Sequence, residues 1–326
     1  MNPGALLRGA VKALPPIRRL IEQRDVLLAE VQRLNAASPP PAAAVAASSA
    51  EASLRFPPGH YFSPIPEMDE IRAREEQIFA APASLPAVDM QEEAQLQLAV
   101  ELAAYYEDQP FQASPTEGMR YHFENGYFQF ADGLVLHALL RHLKPRRVIE
   151  IGSGFSSALM MDTNQLFLEG EMQLTFIDPN PERLLGLLNA HDAAGVEVIA
   201  KPAQDLDPSL FDTLEAGDIL FVDSSHVSKV GSDVNTIFFE ILPRLKPGVM
   251  IHLHDIFHPF EYPKDWIYMG RYFTEAYLTR AFLMFNEAFR IRLSNSYLYK
   301  FHRERMTGLM PLWATMEGAS LWMERV

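Results

Sequence analysis

The chain has 326 residues, enough for one large or two modest domains, and its 48% hydrophobic and 21% charged residues are an ordinary globular balance. It contains no cysteine, which excludes a disulfide framework, a thiolate nucleophile, a thiolate zinc site and an iron–sulfur cluster. Acidic residues outnumber basic ones by 42 to 28, and a net charge of −14 repels phosphate backbones. The densest basic clusters, Arg18 with Arg19 and Lys144 with Arg146 and Arg147, are not interleaved with aromatics, so no nucleic-acid partner is expected.

Residues 1–35 read as a helical extension. Ile17, Leu20, Leu27, Val31 and Leu34 occupy a and d positions of a short heptad. Such a helix suits a short coiled coil with a second copy or a partner, or packing on its own chain. Arg8 and Lys12 interrupt the mildly apolar start and Pro15 and Pro16 end it, so no signal peptide is expected. No apolar run reaches the ~20 residues that a membrane span needs. With the lack of cysteine, this fits a cytoplasmic protein. Residues 36–55 are rich in Ala, Pro and Ser, a linker by composition. Residues 56–130 are expected to form a helical cap, with helical periodicity over 68–80 and 91–106. A further helix is predicted over 132–143, ahead of Pro145.

Residues 131–326 alternate strand and helix. Apolar, β-rich runs at 147–152, 174–178, 196–200, 218–223 and 249–255 are separated by helix-length segments, and two more strand candidates follow at 289–299 and 320–324. Near-continuous apolar strands belong to a parallel sheet covered on both faces. The predicted fold is α/β, a doubly wound, mostly parallel, seven-stranded Rossmann-like sheet. Ligands of such sheets lie beyond the carboxyl ends of the strands, where the strand order reverses. The strand-end residues are therefore the ones to examine.

The first strand runs into Glu150-Ile-Gly-Ser-Gly-Phe-Ser-Ser157. Gly152 and Gly154 allow close backbone approach to a ligand, and the turn through Ser153 and Phe155 feeds a helix whose amino terminus points the same way. Asp178 ends the second strand, where a carboxylate can accept both ribose hydroxyls of an adenosine. Gln204 and Asp205, after the third, face either an adenine amine or solvent. Three details favour S-adenosylmethionine over a nicotinamide cofactor. Ser157 stands where a third glycine would be; Glu150 suits a cationic methionine moiety but repels a pyrophosphate; and no Tyr-x-x-x-Lys pair occurs.

The fourth and fifth strands end in Asp223 and Asp255, two carboxylates on one rim that suit Mg²⁺ or a similar divalent cation. His254 beside them would shift the preference toward a softer ion, making Asp223, His254 and Asp255 the candidate metal set. The rival reading is that Asp223 contacts only cofactor and Asp255 only orients His226. His226, three residues past Asp223, is the candidate general base, since an imidazole with pKa ~6.5 suits proton abstraction. Its plain alternative is a loop histidine capping the next helix. His252 and His254 share one side of the fifth strand, where two buried, hydrogen-bonded histidines are the plain explanation. Aromatics at helical spacing are core residues first, but Tyr262 and Trp266, with Tyr61, are also candidates to stack on an acceptor.

The run ending in Ser157 resembles motif I of the class I S-adenosylmethionine-dependent methyltransferases. Phe221-Val-Asp-Ser-Ser-His-Val-Ser-Lys-Val-Gly-Ser-Asp-Val-Asn235 and Ile251-His-Leu-His-Asp-Ile-Phe-His-Pro-Phe-Glu-Tyr-Pro263 resemble a bacterial subgroup of that family, met among surface-polysaccharide and natural-product genes. The resemblance reaches from the Tyr-Phe-Ser-Pro-Ile-Pro segment to the carboxyl terminus and includes Phe123-Glu-Asn-Gly126 and Pro181-Glu-Arg183. More distantly, the layout is similar to macrolide-sugar O-methyltransferases, which carry Asp-x-x-His after the fourth strand and an acidic pair after the fifth; His254 departs from that pair. The resemblance implies methyl transfer from S-adenosylmethionine to a hydroxyl of a sugar or glycosylated small molecule, with His226 as base. Two alternatives stay open: N-methylation of an amino sugar or small amine, and a non-catalytic cofactor-binding protein tethered through its first helix.

Overall fold

The computed structural model describes residues 55–188 and 196–326, so the extension over 1–35 and nearly all of the linker lie outside the described residues. The chain divides into two compact units after Ala80. In the first, the single helix predicted over 68–80 is two short ones, α1 (Met68–Ala73) and α2 (Glu75–Ile78). The Glu67 carboxylate caps α1 by accepting from the Asp69 amide, and Arg74, at φ −122°, breaks the run.

The second unit, Ala81–Val326, carries α3 (Glu92–Leu102), α4 (Phe130–Leu143), β1 (Arg147–Ile151), α5 (Phe155–Phe167), β2 (Gln173–Ile177), α6 (Glu182–Leu187) and β3 (Val196–Ile199). Then come β4 (Ile219–Val222), α7 (Asp233–Thr236), β5 (Met250–Leu253), α8 (Lys264–Tyr268), α9 (Glu275–Leu283), β6 (Phe289–Ser294), α10 (Asn295–Phe301), α11 (Arg303–Leu309) and β7 (Leu321–Arg325). The cap expected over 56–130 is therefore split: from Ala81 onward it belongs with the sheet, and α3 packs on β6. Gln95 of α3 fixes that contact, its side-chain oxygen accepting from the Ser294 amide at 2.7 Å.

All seven strands form one sheet in the order β3-β2-β1-β4-β5-β7-β6. The first five run parallel, and β7 is antiparallel to both β5 and β6. Every residue of β4 (Ile-Leu-Phe-Val) and β5 (Met-Ile-His-Leu) is buried, the mark of central strands covered on both faces. Strand order reverses between β1 and β4, which opens a crevice at their carboxyl ends. The strand predicted over 289–299 stops at Ser294, whose hydroxyl accepts from the Tyr297 amide and starts α10. A side-chain cap there outweighs the β-forming composition of the tyrosines that follow. Among the described residues no helix is long and apolar enough to cross a membrane.

Asp132 ties the two ends of this unit together. It is buried at the start of α4, and its Oδ1 accepts from the Ala319 amide at 3.0 Å, the Ser320 amide at 2.9 Å and the Asn295 side-chain amide at 2.8 Å. Removing it strands buried donors on the approach to β7, and each unsatisfied donor costs about 1–3 kcal/mol. Asp132→Ala is expected to lower unfolding free energy by about 2–4 kcal/mol in denaturant titration. Asp132→Asn, which keeps one acceptor oxygen, is expected to lose less.

Candidate functional site

The crevice begins where the tips of β1 and β4 meet. Gly152 has φ +83°, and a β-carbon built on it would fall 1.9 Å from the Asp223 carbonyl oxygen. Only glycine meets both conditions. Gly154 has an extended φ of 170°, so its small size answers a different need: a β-carbon there would lie 3.1 Å from Arg183 Cδ. Glu150 is fully buried and faces into the turn, not into the crevice. Its carboxylate accepts from the hydroxyls of Ser156 and Ser157, and Ser157 Oγ accepts from the Gly154 amide at 3.0 Å. Direct contact with a methionine moiety, expected from sequence, gives way to a scaffold role. Burial pushes this carboxyl up to about 8, although the two serine hydrogen bonds pull the other way.

Asp178 stands beside the turn, half-buried. Its Oδ2 accepts from both the amide and the hydroxyl of Ser153 at 2.9 Å, and its Oδ1 from the Asn180 amide at 2.8 Å. Phe155 opens α5 half-exposed, and Gln204 and Asp205 are exposed on the short turn Ala203–Asp205 past β3. This edge fits the nucleoside half of S-adenosylmethionine: a carboxylate for ribose hydroxyls, a tight glycine turn, and free polar groups where an adenine amine would reach.

On the other side of Gly152, His226 collects three acids. Its Nε2 lies 3.3 Å from Asp223 Oδ1 and 3.4 Å from Asp255 Oδ2, and its Nδ1 donates to Glu275 Oε2 at 2.9 Å. The backbone is bent to achieve this, since His226 and Asp255 have φ +59° and +57°. Such left-handed residues cost of order 1–3 kcal/mol and persist where their surroundings hold them. What holds His226 is the start of α9: the amides of Thr274 and Glu275 both donate to its carbonyl oxygen, at 2.9 and 3.1 Å. Ser224 Oγ donates to Glu275 Oε2 at 2.8 Å and accepts from the His226 amide at 3.0 Å. The imidazole is thus oriented from Nδ1 and presents Nε2 to the rim.

Charge follows from this geometry. Burial opposes protonation of His226, but its hydrogen bonds to Asp223 and Glu275 outweigh that and hold it well above the usual imidazole value. Burial likewise opposes ionisation of Asp223, and the neighbouring His254 and His226 reverse the balance, bringing it down to about 2. Asp255 is raised, chiefly by burial. The neutral imidazole of pKa ~6.5 assumed from sequence is therefore a perturbed one.

His252 and His254 are neighbours, as their alternation predicts, with ring centroids 5.5 Å apart. His252 stacks on Phe221 at 3.7 Å, places Nε2 2.9 Å from Ser320 Oγ, and is driven well below the usual value by burial and by His254. It is a core residue. Asp223, His254 and Asp255 do not fit a cation as arranged. The His226 imidazole fills the gap between the two carboxylates, His254 Nε2 approaches only Asp255, at 3.7 Å, and no group of three or more ligating side chains suited to a metal occurs among the described residues. Tyr262 is buried and its hydroxyl accepts from the Ala276 amide at 3.0 Å, which makes it a tie to α9 and removes it as an acceptor-stacking residue. Trp266 packs half-buried among Tyr262, Phe257 and Phe273, under the Arg271 guanidinium. Tyr61 belongs to the first unit, 92% exposed with its ring against Phe62.

Glu275, the group that orients His226, escapes sequence reasoning because it lies 49 positions away; its only local signal is an acid opening a helix. The polar residues of the run from Phe221 to Asn235 turn out to stitch its loop. Ser225 donates to Asp233, Ser228 to Asn235, and Ser232 caps α7. The Glu150 arrangement is testable by pH. A carboxyl raised from 4.5 to about 8 on folding contributes stability that is complete below the lower value and lost as pH rises through the higher one. Wild-type Tm is therefore expected to fall relative to Glu150→Gln between about pH 4.5 and 8 in parallel thermal melts.

Residues 149–256 match the family model described as a methyltransferase domain. An uncharacterized protein of Archaeoglobus fulgidus is 37% identical over 166 residues, 49% of this chain and 74% of the relative. Among solved structures, the SAH-bound Podospora anserina methyltransferase PaMTH1 is 16% identical, covering 79% of this chain and 95% of its own, with a TM-score of 0.41. The Streptomyces achromogenes O-methyltransferase TomG, in complex with SAM, is 15% identical, covering 80% and 96%, with the same TM-score. The matched family region carries the glycine turn, Asp178, Asp223 and Asp255 on a sheet of the expected strand order, and the chain belongs to the class I S-adenosylmethionine-dependent methyltransferases.

Proposed function

We propose that the protein methylates a hydroxyl group of a sugar or glycosylated small molecule, with His226 as general base. The observation that carries this reading is the Glu275–His226 pair, an imidazole fixed at Nδ1 by a buried carboxylate and offering Nε2 to the rim between Asp223 and Asp255. S-adenosylmethionine, held along Ser153, Asp178, Gln204 and Asp205 with Asp223 nearby, supplies an electrophilic methyl group on a sulfonium. A hydroxyl is a poor nucleophile while it keeps its proton. His226 Nε2 takes that proton, and Glu275 stabilises the resulting imidazolium. Asp223 and Asp255 accept hydrogen bonds from neighbouring hydroxyls, which suits a polyol and orients the reacting oxygen. No metal step enters, because the imidazole occupies the place between the carboxylates that a bridging cation would need.

One observation favours an amine acceptor as a second reading. Glu275 Oε1 is buried without a hydrogen-bond partner among the described residues, so three carboxylates surround a single imidazole and attract a protonated amine. Once the bound ammonium has given its proton to one of these carboxylates or to solvent, the amine attacks with its own lone pair, and its methylation would not depend on His226.

His226→Ala is expected to lower turnover on a hydroxyl acceptor about 10²–10⁴-fold. Calorimetric affinity for the cofactor should change little, and rates in chelator should equal those in added Mg²⁺. Undiminished turnover in the variant would exclude the base assignment, and unchanged amine methylation beside it would select the second reading. The base works only when neutral, so wild-type kcat should rise with pH through a value well above the usual 6.5. Glu275→Gln removes one of the charges that hold the proton, and its rising limb is expected at lower pH in the same profile.

A further inference from the structure

The acids around the crevice raise a question that the acceptor chemistry leaves aside. S-adenosylmethionine carries one anionic group, the carboxylate of its amino-acid end, and Asp178, Asp223, Asp255 and Glu275 all repel it. A chain with a net charge of −14 offers that carboxylate few welcoming surfaces. A cation stands at the glycine turn. Arg183, in the first turn of α6, lays its side chain across Gly154, with Cδ and Nη1 3.1 and 3.6 Å from where a β-carbon would be. Its guanidinium carbon sits 3.8 Å from the centroid of the Tyr127 ring, and that ring stacks at 13° on Phe155, the first residue of α5. A β-carbon at 154 would press on the Arg183 side chain, which lies directly over the turn.

Tyr127 is held in place for this contact. Asn125 Oδ1 accepts from the amides of Tyr127 and Phe128 at 2.9 and 2.8 Å, and its Nδ2 donates to the carbonyls of His122 and Phe128 at 2.7 Å. Gly126, at φ +80°, completes the turn. The ring nonetheless stays 60% exposed, an outlay of apolar surface at a mouth rather than in a core. Among the described residues no hydrogen bond or ion pair engages the Arg183 guanidinium. A planar fork of donors, steadied by an aromatic face and left without an anion, is matched to a carboxylate.

We propose that Arg183, steadied over the Gly154 turn by Tyr127, is a cofactor-positioning residue that pairs with the amino-acid carboxylate of S-adenosylmethionine. The assignment is independent of the acceptor, so it stands or falls apart from the O-methylation reading. The test is calorimetric binding of two ligands to the full chain: S-adenosylhomocysteine, which has the carboxylate, and 5′-methylthioadenosine, which keeps the nucleoside and thioether but lacks it. Arg183→Ala is expected to weaken S-adenosylhomocysteine about tenfold or more, the worth of one charge-assisted pair, and to leave methylthioadenosine within about twofold. Arg183→Lys should recover part of the loss, and Tyr127→Ala should show a smaller loss with the same selectivity. With wild-type melting temperatures, Arg183→Ala should also raise KM for the cofactor while sparing kcat at saturation. Equal weakening of both ligands would move Arg183 to the nucleoside half, and no weakening of S-adenosylhomocysteine would remove it from the site; either result overturns the proposal.

Discussion

The structure turns on the approach of Gly152 to the carbonyl of Asp223. Two parallel strands meet tip to tip there, too closely for any side chain between them. That closeness puts the β1 turn within reach of the β4 loop, which carries Asp223 and His226. A bulkier residue at 152 would part the two tips and with them the two halves of the crevice. The buried Glu150 belongs to the same device. It holds Ser156 and Ser157, and through Ser157 the Gly154 amide, so the turn enters the crevice with its shape already set.

Charge is divided across this crevice with little slack. Three carboxylates share one imidazole beyond the β4 tip, and the protein keeps them together through hydrogen bonds and a bent backbone. A buried acid cluster of this kind is unfavourable unless a cation completes it, and both the His226 proton and the sulfonium of the cofactor qualify. A cation placed among carboxylates is stabilised in proportion to how well water is excluded, which is why the buried Glu275 matters more than its distance in sequence suggests. At the glycine turn, Arg183 lies over the Tyr127 ring and supplies a positive surface. Methyl transfer depends on alignment, and anchoring both ends of the cofactor between unlike charges is a direct way to obtain it.

Several expectations from sequence changed because a third partner intervened. Glu150 has the right position in the motif to face a cofactor, yet Ser156 and Ser157 in the first turn of α5 capture it. Tyr262 has the look of a residue that stacks on an acceptor, yet its hydroxyl is taken by the Ala276 amide. The strand expected to continue past Ser294 gives way to a helix because that serine caps it. In each case a hydrogen-bonding side chain satisfied a backbone or buried group that composition alone does not reveal.

The sequence by itself determined the strands and the residues at their carboxyl ends. Strand periodicity, the glycine turn, Asp178, and the paired acids Asp223 and Asp255 are local patterns, and local patterns survive reading without coordinates because each depends on residues a few positions apart. Only the tertiary structure decided what those acids do. Whether His226 is neutral or charged, whether two carboxylates surround a metal or an imidazole, and which acid orients His226 all depend on α9 returning to the β4 loop. Electrostatic energies fall with distance through space and not along the chain, so a carboxylate 49 residues away sets the chemistry of a histidine that the motif alone could only locate.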